Sequence, residues 1–145
     1  MTFEDRKEYA KYRIESARKT FEAAKVLAEN EFWNSVVNRL YYSIFYAVNA
    51  LLVMNEIQTK SHSATKSQFS LHFVKTGKFD KKYGKLLSEL FDWRQKGDYE
   101  NIFDYIKKVL IFSITLIIKK YLKNQLKYQE VISSSILSNY FVLRG

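Results

Sequence analysis

Between Phe32 and Met54 the apolar and aromatic side chains leave no wide polar face on a helix. Val37, Tyr41, Ile44, Val48 and Leu51 recur at helical spacing along one stripe, and Arg39, Tyr42, Tyr46 and Asn49 recur along a second. A helix that is apolar around most of its circumference is stable in water only when neighbours cover it on several sides. This segment is therefore expected at the centre of a bundle, and the rest of the chain must supply the surrounding helices.

The composition allows this. The 145 residues contain no proline and four glycines, so there are few positions that break a helix and few that suit tight β-turns. Thr2 and Asp5 have the spacing of a helix-capping pair, and the first helix is expected to run from there to about Asn30. Ala10, Ile14, Ala17, Phe21, Ala24 and Ala28 would face inward along it, with Glu8, Lys11, Glu15, Arg18, Lys19 and Lys25 in water. Ser61 is placed to cap a third helix from about His62 to Lys75, ended by Gly77. A fourth is expected from Asp80 to about Gln95, carrying Tyr83, Leu86, Leu87, Leu90 and Phe91 inward. After a break at Gly97, a fifth would run from about Glu100 to Lys123 on Ile102, Ile106, Val109, Leu110, Ile114, Ile117 and Tyr121. The fold class is thus all-α, an up-and-down bundle of five main helices over residues 1–127. Residues 128–145 form a tail that either adds a short sixth helix or completes a neighbour. A chain of this length makes one domain.

The same composition excludes several function classes. There is no cysteine, hence no disulfide framework and no thiolate chemistry, which is compatible with a cytoplasmic protein. The charged start Met1 to Glu8 lacks the apolar core of a signal peptide. The most apolar run, Val109 to Ile118, is too short for a membrane span, which needs about 20 apolar residues. His62 and His72 are separated by roughly 15 Å of helix and cannot ligate one metal ion, so neither a metal site nor another cofactor is expected. No glycine-rich phosphate loop and no Ser-His-Asp arrangement occurs. The formal net charge of +9 provides a field that attracts phosphates or an acidic partner. Its densest clusters, Lys75 to Lys85 and Lys119 to Lys127, read either as solvated faces or as a nucleic-acid surface.

Three anchors in order give the chain a recognisable pattern: Arg-x-Tyr-Tyr-x-x-Phe-x-Ala-x-x-Ala-Leu-Leu at Arg39 to Leu52, Lys-Ser-His at Lys60 to His62, and Arg-x-x-x-Asp-Tyr at Arg94 to Tyr99. The pattern resembles that of small prokaryotic HEPN proteins. The resemblance implies an all-helical bundle that acts beside a minimal nucleotidyltransferase, often in a toxin and antitoxin system or a substrate-binding arrangement. HEPN proteins that cleave RNA carry an arginine followed, after four to six residues, by a histidine near the start of a late helix. Counting from Arg94, that histidine would fall at Tyr99, Glu100 or Asn101, and it is absent.

The candidate ligand-binding residues are accordingly Arg39, Tyr42, His62, Arg94, Asp98 and Tyr99, with Arg94 and His62 as the candidates for any catalysis. All but Tyr42 are expected to converge on one cleft where the central helix meets the turn between the fourth and fifth helices, Asp98 pairing with Arg94 or Arg39. His62 is expected to bond Tyr42, Arg39 or a carboxylate, either as a structural histidine or as a proton carrier. Tyr41, Tyr42 and Tyr46 read as core residues or as stacking surfaces for bases. By resemblance, Tyr99 is the tyrosine that a partner nucleotidyltransferase would modify. The expected function is a nucleotide- or RNA-binding module, dimeric through the surplus apolar surface of the second and fifth helices. Its rivals are a metal-independent endoribonuclease that uses Arg94 and a replacement for the missing histidine, and a purely structural adaptor with no ligand.

Overall fold

The structure is a computed structural model that describes residues 1–96 and 118–127. Helix α1 spans Phe3–Glu29 and begins with the expected capping box: the Asp5 N–H donates to Thr2 Oγ1, and the Thr2 N–H donates to the Asp5 carboxylate. Ala10, Ala17 and Ala24 are buried, seven residues apart along the stripe that the sequence marks. Small side chains there bring the next helix close.

That next helix, α2, spans Trp33–Met54 and packs antiparallel on α1. Between them Ser43 Oγ donates to the Ala17 carbonyl at 2.8 Å, so a buried hydroxyl is satisfied across the interface. Val36, Val37, Leu40, Tyr41, Ile44, Ala47, Val48, Ala50, Leu51 and Leu52 are all buried along α2. It is the centre of the bundle, as its circumferential apolar pattern requires. Helix α2 is also long and apolar enough to cross a membrane, but most of it is buried against the other helices, as a core helix is.

Both α1 and α2 end in Schellman turns with a glutamate where glycine is usual. Glu31 has φ 60° and Glu56 has φ 61°; the Phe32 N–H donates to the Leu27 carbonyl, and the Ile57 N–H to the Leu52 carbonyl. The following helix, α3, spans His62–Phe69 and is capped by Ser61, whose Oγ accepts from the Ala64 N–H. The sequence predicts one α-helix as far as Lys75. Instead Ser70–Val74 widens into a π-helical turn, in which the Lys75 N–H reaches the Ser70 carbonyl. Phe69, Phe73 and Phe79 meet beside it in a ring cluster. Gly77, at φ +77°, takes the left-handed position before α4.

Helix α4 spans Lys81–Lys96 and directs Leu87 and Leu90 into the core. Gly84 lies against Val74, where an added Cβ would stand 3.3 Å from a valine methyl. Residues 118–127 are helical and bury Ile118 and Leu122; here the helix continues beyond Lys123. This segment is tied to the end of α2 by a side-chain amide pair, in which Gln125 Nε2 donates to Asn55 Oδ1 at 2.9 Å. No strand occurs among the described residues, and the protein is all-α. The tail 128–145 and the expected start of the fifth helix lie outside the described residues.

Candidate functional site

His62 is the first residue of α3, set there by the Ser61 cap. Its ring stacks on Phe45 of α2, with centroids 4.2 Å apart and planes 18° from parallel. Nδ1 shares a 2.7 Å hydrogen bond with the Tyr41 hydroxyl. The sequence reading expected Tyr42, Arg39 or a carboxylate in that role. The correction follows from helix geometry: residue 41 points into the core against Phe91 and Phe45, toward the side on which α3 begins. A tyrosine buried at such a position needs a partner for its hydroxyl, and that need is the signal from which Tyr41 can be found.

Burial pushes the Tyr41 phenol up to about 12, against the opposing pull of the Arg94 charge. Burial, and secondarily the same guanidinium, lowers His62 below its ordinary range. At neutral pH both groups are therefore uncharged, and one proton is shared between the phenol oxygen and Nδ1.

Arg94 enters from α4. Its Nη1 donates to the Tyr42 hydroxyl at 3.1 Å, and its Cζ lies 4.3 Å from the Tyr41 ring centroid, 5.4 Å from that of Tyr42 and 5.7 Å from that of Phe91. The guanidinium thus lies among π-faces, which compensate part of its lost hydration. A guanidinium has five N–H donors, and among the described residues Arg94 is seen to donate only to Tyr42. His62 and Arg94 both lie against Tyr42, whose ring meets the imidazole edge-on with centroids 5.9 Å apart.

Arg39 does not join them. It is exposed, and its Nη2 donates to Asn38 Oδ1 at 3.1 Å. The expectation of a buried Arg39 that requires an anionic partner is overturned, because Leu40, Val36 and Val37 take the inward directions at that level of α2 and leave residue 39 to solvent. The expected Asp98 and Tyr99 members of the cleft lie outside the described residues. His72 makes a local contact instead, with Nε2 2.9 Å from Gln68 Oε1 on the same helix. Among the described residues no group of acidic or histidine side chains is placed to hold a metal ion.

Fold and site together define a small all-α bundle whose central helix carries a tyrosine-rich surface holding an imidazole from one neighbour and a guanidinium from another. The HEPN domain pattern matches residues 10–134, and the chain belongs to the HEPN family. It is similar to a UPF0332 protein of Thermotoga maritima, with 41% identity over 100 residues that cover 63% of this chain and 76% of the relative. It also resembles two Methanocaldococcus jannaschii proteins that bear the name putative toxin. One is 40% identical, over 60% of this chain and 59% of the relative; the other is 36% identical, over 59% and 64%. The match thus spans less than two thirds of each of those two relatives.

Proposed function

We propose that the chain is a nucleotide- or RNA-binding module of the HEPN toxin class that works as a homodimer beside a minimal nucleotidyltransferase in a toxin–antitoxin pair. The observation that carries this reading is the setting of Arg94. A planar cation lies on the Tyr41 ring and among the described residues bonds only Tyr42, a geometry suited to phosphate oxygens, with neighbouring rings for a base face. The net charge of +9 draws such an anion in from a distance. The names of the two archaeal relatives support the toxin part; the partner is what the resemblance carried by Arg39 to Leu52, Lys60 to His62 and Arg94 to Tyr99 implies.

The test is calorimetric titration with ribonucleoside monophosphates. Arg94→Ala should abolish binding while the circular dichroism spectrum stays helical; equal affinity in wild type and variant rules the reading out. Sedimentation should return about twice 17.3 kDa, and a monomer at concentrations on the order of tens of micromolar would remove the dimer.

A second reading, metal-independent RNA cleavage, draws on the shared tyrosine platform that brings His62 beside Arg94. With the proton on Nδ1, Tyr41 accepts it and Nε2 is free to take a proton from a ribose 2′-hydroxyl, with the guanidinium on the phosphate. Cleavage in the presence of a chelator, lost in both His62→Ala and Arg94→Ala, would favour this reading over simple binding.

A further inference from the structure

The tyrosine surface does not end at Arg94. Tyr42 and Tyr46, one turn apart on α2, have ring centroids 5.9 Å apart. On the far side of Tyr46, Arg13 of α1 places its Cζ 5.3 Å from that ring, 5.0 Å from Tyr9 and 5.9 Å from Tyr12. Arg13 Nε donates to the Tyr9 hydroxyl at 2.8 Å, which fixes the plane of the guanidinium. Tyr12 is 66% exposed, and Arg13, Tyr42, Tyr46 and Arg94 are each partly open to solvent.

Two guanidinium groups from different helices thus flank two tyrosine rings in the order Arg94, Tyr42, Tyr46, Arg13, with Tyr12 beyond. Each chemical element of a single-stranded nucleic acid has a counterpart in that order. Phosphates match the guanidinium groups, and base faces match rings or guanidinium planes, which stack with little regard to base identity. An apolar core has no use for a fixed arginine at its rim. An acidic protein surface would need only positive charge, which the lysines elsewhere on the chain supply, and would make no use of tyrosine faces set between two guanidinium groups.

The geometry points to Arg13, with Tyr9, Tyr12 and Tyr46, as a second phosphate-and-base subsite continuous with that of Arg94, so that the ligand is a single-stranded oligonucleotide laid across α2 onto α1. This rests on the reading of Arg94 as a phosphate site and extends it from a mononucleotide to a strand. Apart from Tyr46, the subsite lies outside the residues that the sequence pattern marks. Arg13 and Tyr12 belong to α1, whose buried residues Ala10, Ala17 and Ala24 pack on the core.

Fluorescence anisotropy with labelled oligouridylates from dinucleotide to octanucleotide, beside calorimetry with uridine monophosphate, tests the assignment. Arg13→Ala and the exposed Tyr12→Ala should each weaken octanucleotide binding about tenfold, and Arg13→Ala should lower its dependence on log salt by about 0.7, the share of one phosphate contact on a single strand. Both should leave the monophosphate affinity unchanged. If both variants bind the octanucleotide like wild type while Arg94→Ala loses it, the second subsite is refuted and the Arg94 reading stands. If the wild type binds neither oligonucleotide nor monophosphate, both are refuted. If Arg13→Ala weakens the octanucleotide only by splitting a dimer, as sedimentation would reveal, the surface is a protein interface and the subsite is refuted.

Discussion

Tyr41 and His62, 21 positions apart in the sequence, meet through a 2.7 Å hydrogen bond that joins the buried face of α2 to the first turn of α3. The Arg94 guanidinium lies over the same tyrosine ring from the side of α4. One side chain of the central helix therefore fixes an imidazole and supports a cation from two other helices. Loss of Tyr41 would remove the imidazole's hydrogen bond and the ring under the cation, whereas loss of Tyr42 would remove one hydrogen bond from Arg94 and an edge contact with His62.

The lowered proton affinity of His62 sets an acid limit on stability. Its folded-state value lies below 6.5, so the unfolded chain takes up the proton first as pH falls. This contribution to stability is complete well above pH 6.5 and is lost progressively as pH falls from there through the folded value. Melting temperatures measured from pH 8 to pH 5 should decline for the wild type and decline less for His62→Gln. Parallel curves for the two proteins would count against the lowered affinity.

Tyr41 sets the opposite limit. Its phenol ionises near 10 when the chain is unfolded and only at about 12 when folded. The folded state thus holds the proton longer, and stability falls as pH rises above 10. Tyr41→Phe should flatten the alkaline arm of the stability curve. At neutral pH it should cost about 1 kcal/mol, the net worth of one hydrogen bond. Denaturant titrations at pH 7 and pH 10.5 supply both readings.

The packing of α1 on α2 around Ser43 depends on the size of residue 17. Ala17 is 0% exposed, and its carbonyl receives the Ser43 hydroxyl, so Ala17→Leu would force the two helices apart. A loss of about 1–3 kcal/mol is expected, as for overpacked cores. Ser43→Ala should cost less, about 0.5–1.5 kcal/mol for one hydrogen bond. Urea unfolding of both variants would test this order, and a tolerant Ala17→Leu would mean that the interface is looser than drawn.

Glu31 occupies a left-handed position that L-residues with a full side chain adopt at a cost of roughly 1–2 kcal/mol. Glu31→Gly removes that strain and keeps the Schellman hydrogen bonds, all of which are made by the backbone. A net gain of about 0.5–1 kcal/mol is expected after the greater freedom of glycine in the unfolded chain is counted. A lowered melting temperature for Glu31→Gly would contradict it. Glu56 is a poorer test position because its carboxylate also meets Arg6 at 3.1 Å.

Much of this protein is decided locally and is therefore legible in its sequence. The capping box at Thr2 and Asp5, the Ser61 cap and the glycine turn at Gly77 are each made by residues within a few positions of one another. The buried alanines of α1 and the all-round apolar pattern of α2 follow from the 3.6-residue period alone. The order of the helices, the central place of α2 and the HEPN resemblance carried by Arg39 to Leu52, Lys60 to His62 and Arg94 to Tyr99 are all consequences of such local information.

Tertiary packing decided the rest. The helical period puts Tyr41 on an inward stripe but does not say which hydroxyl partner arrives from α3, and the same period groups Arg39 with Tyr42 without revealing that residue 39 turns to solvent. Glutamates at Glu31 and Glu56 take positions that propensity reserves for glycine, because the helices they join must reverse within a few residues. Arg13 carries no motif. It reaches Tyr46 only because α1 lies antiparallel on α2 at the register set by Ala17 and Ser43, and which side chains share a surface is settled by how two helices pack, which no spacing within one helix encodes.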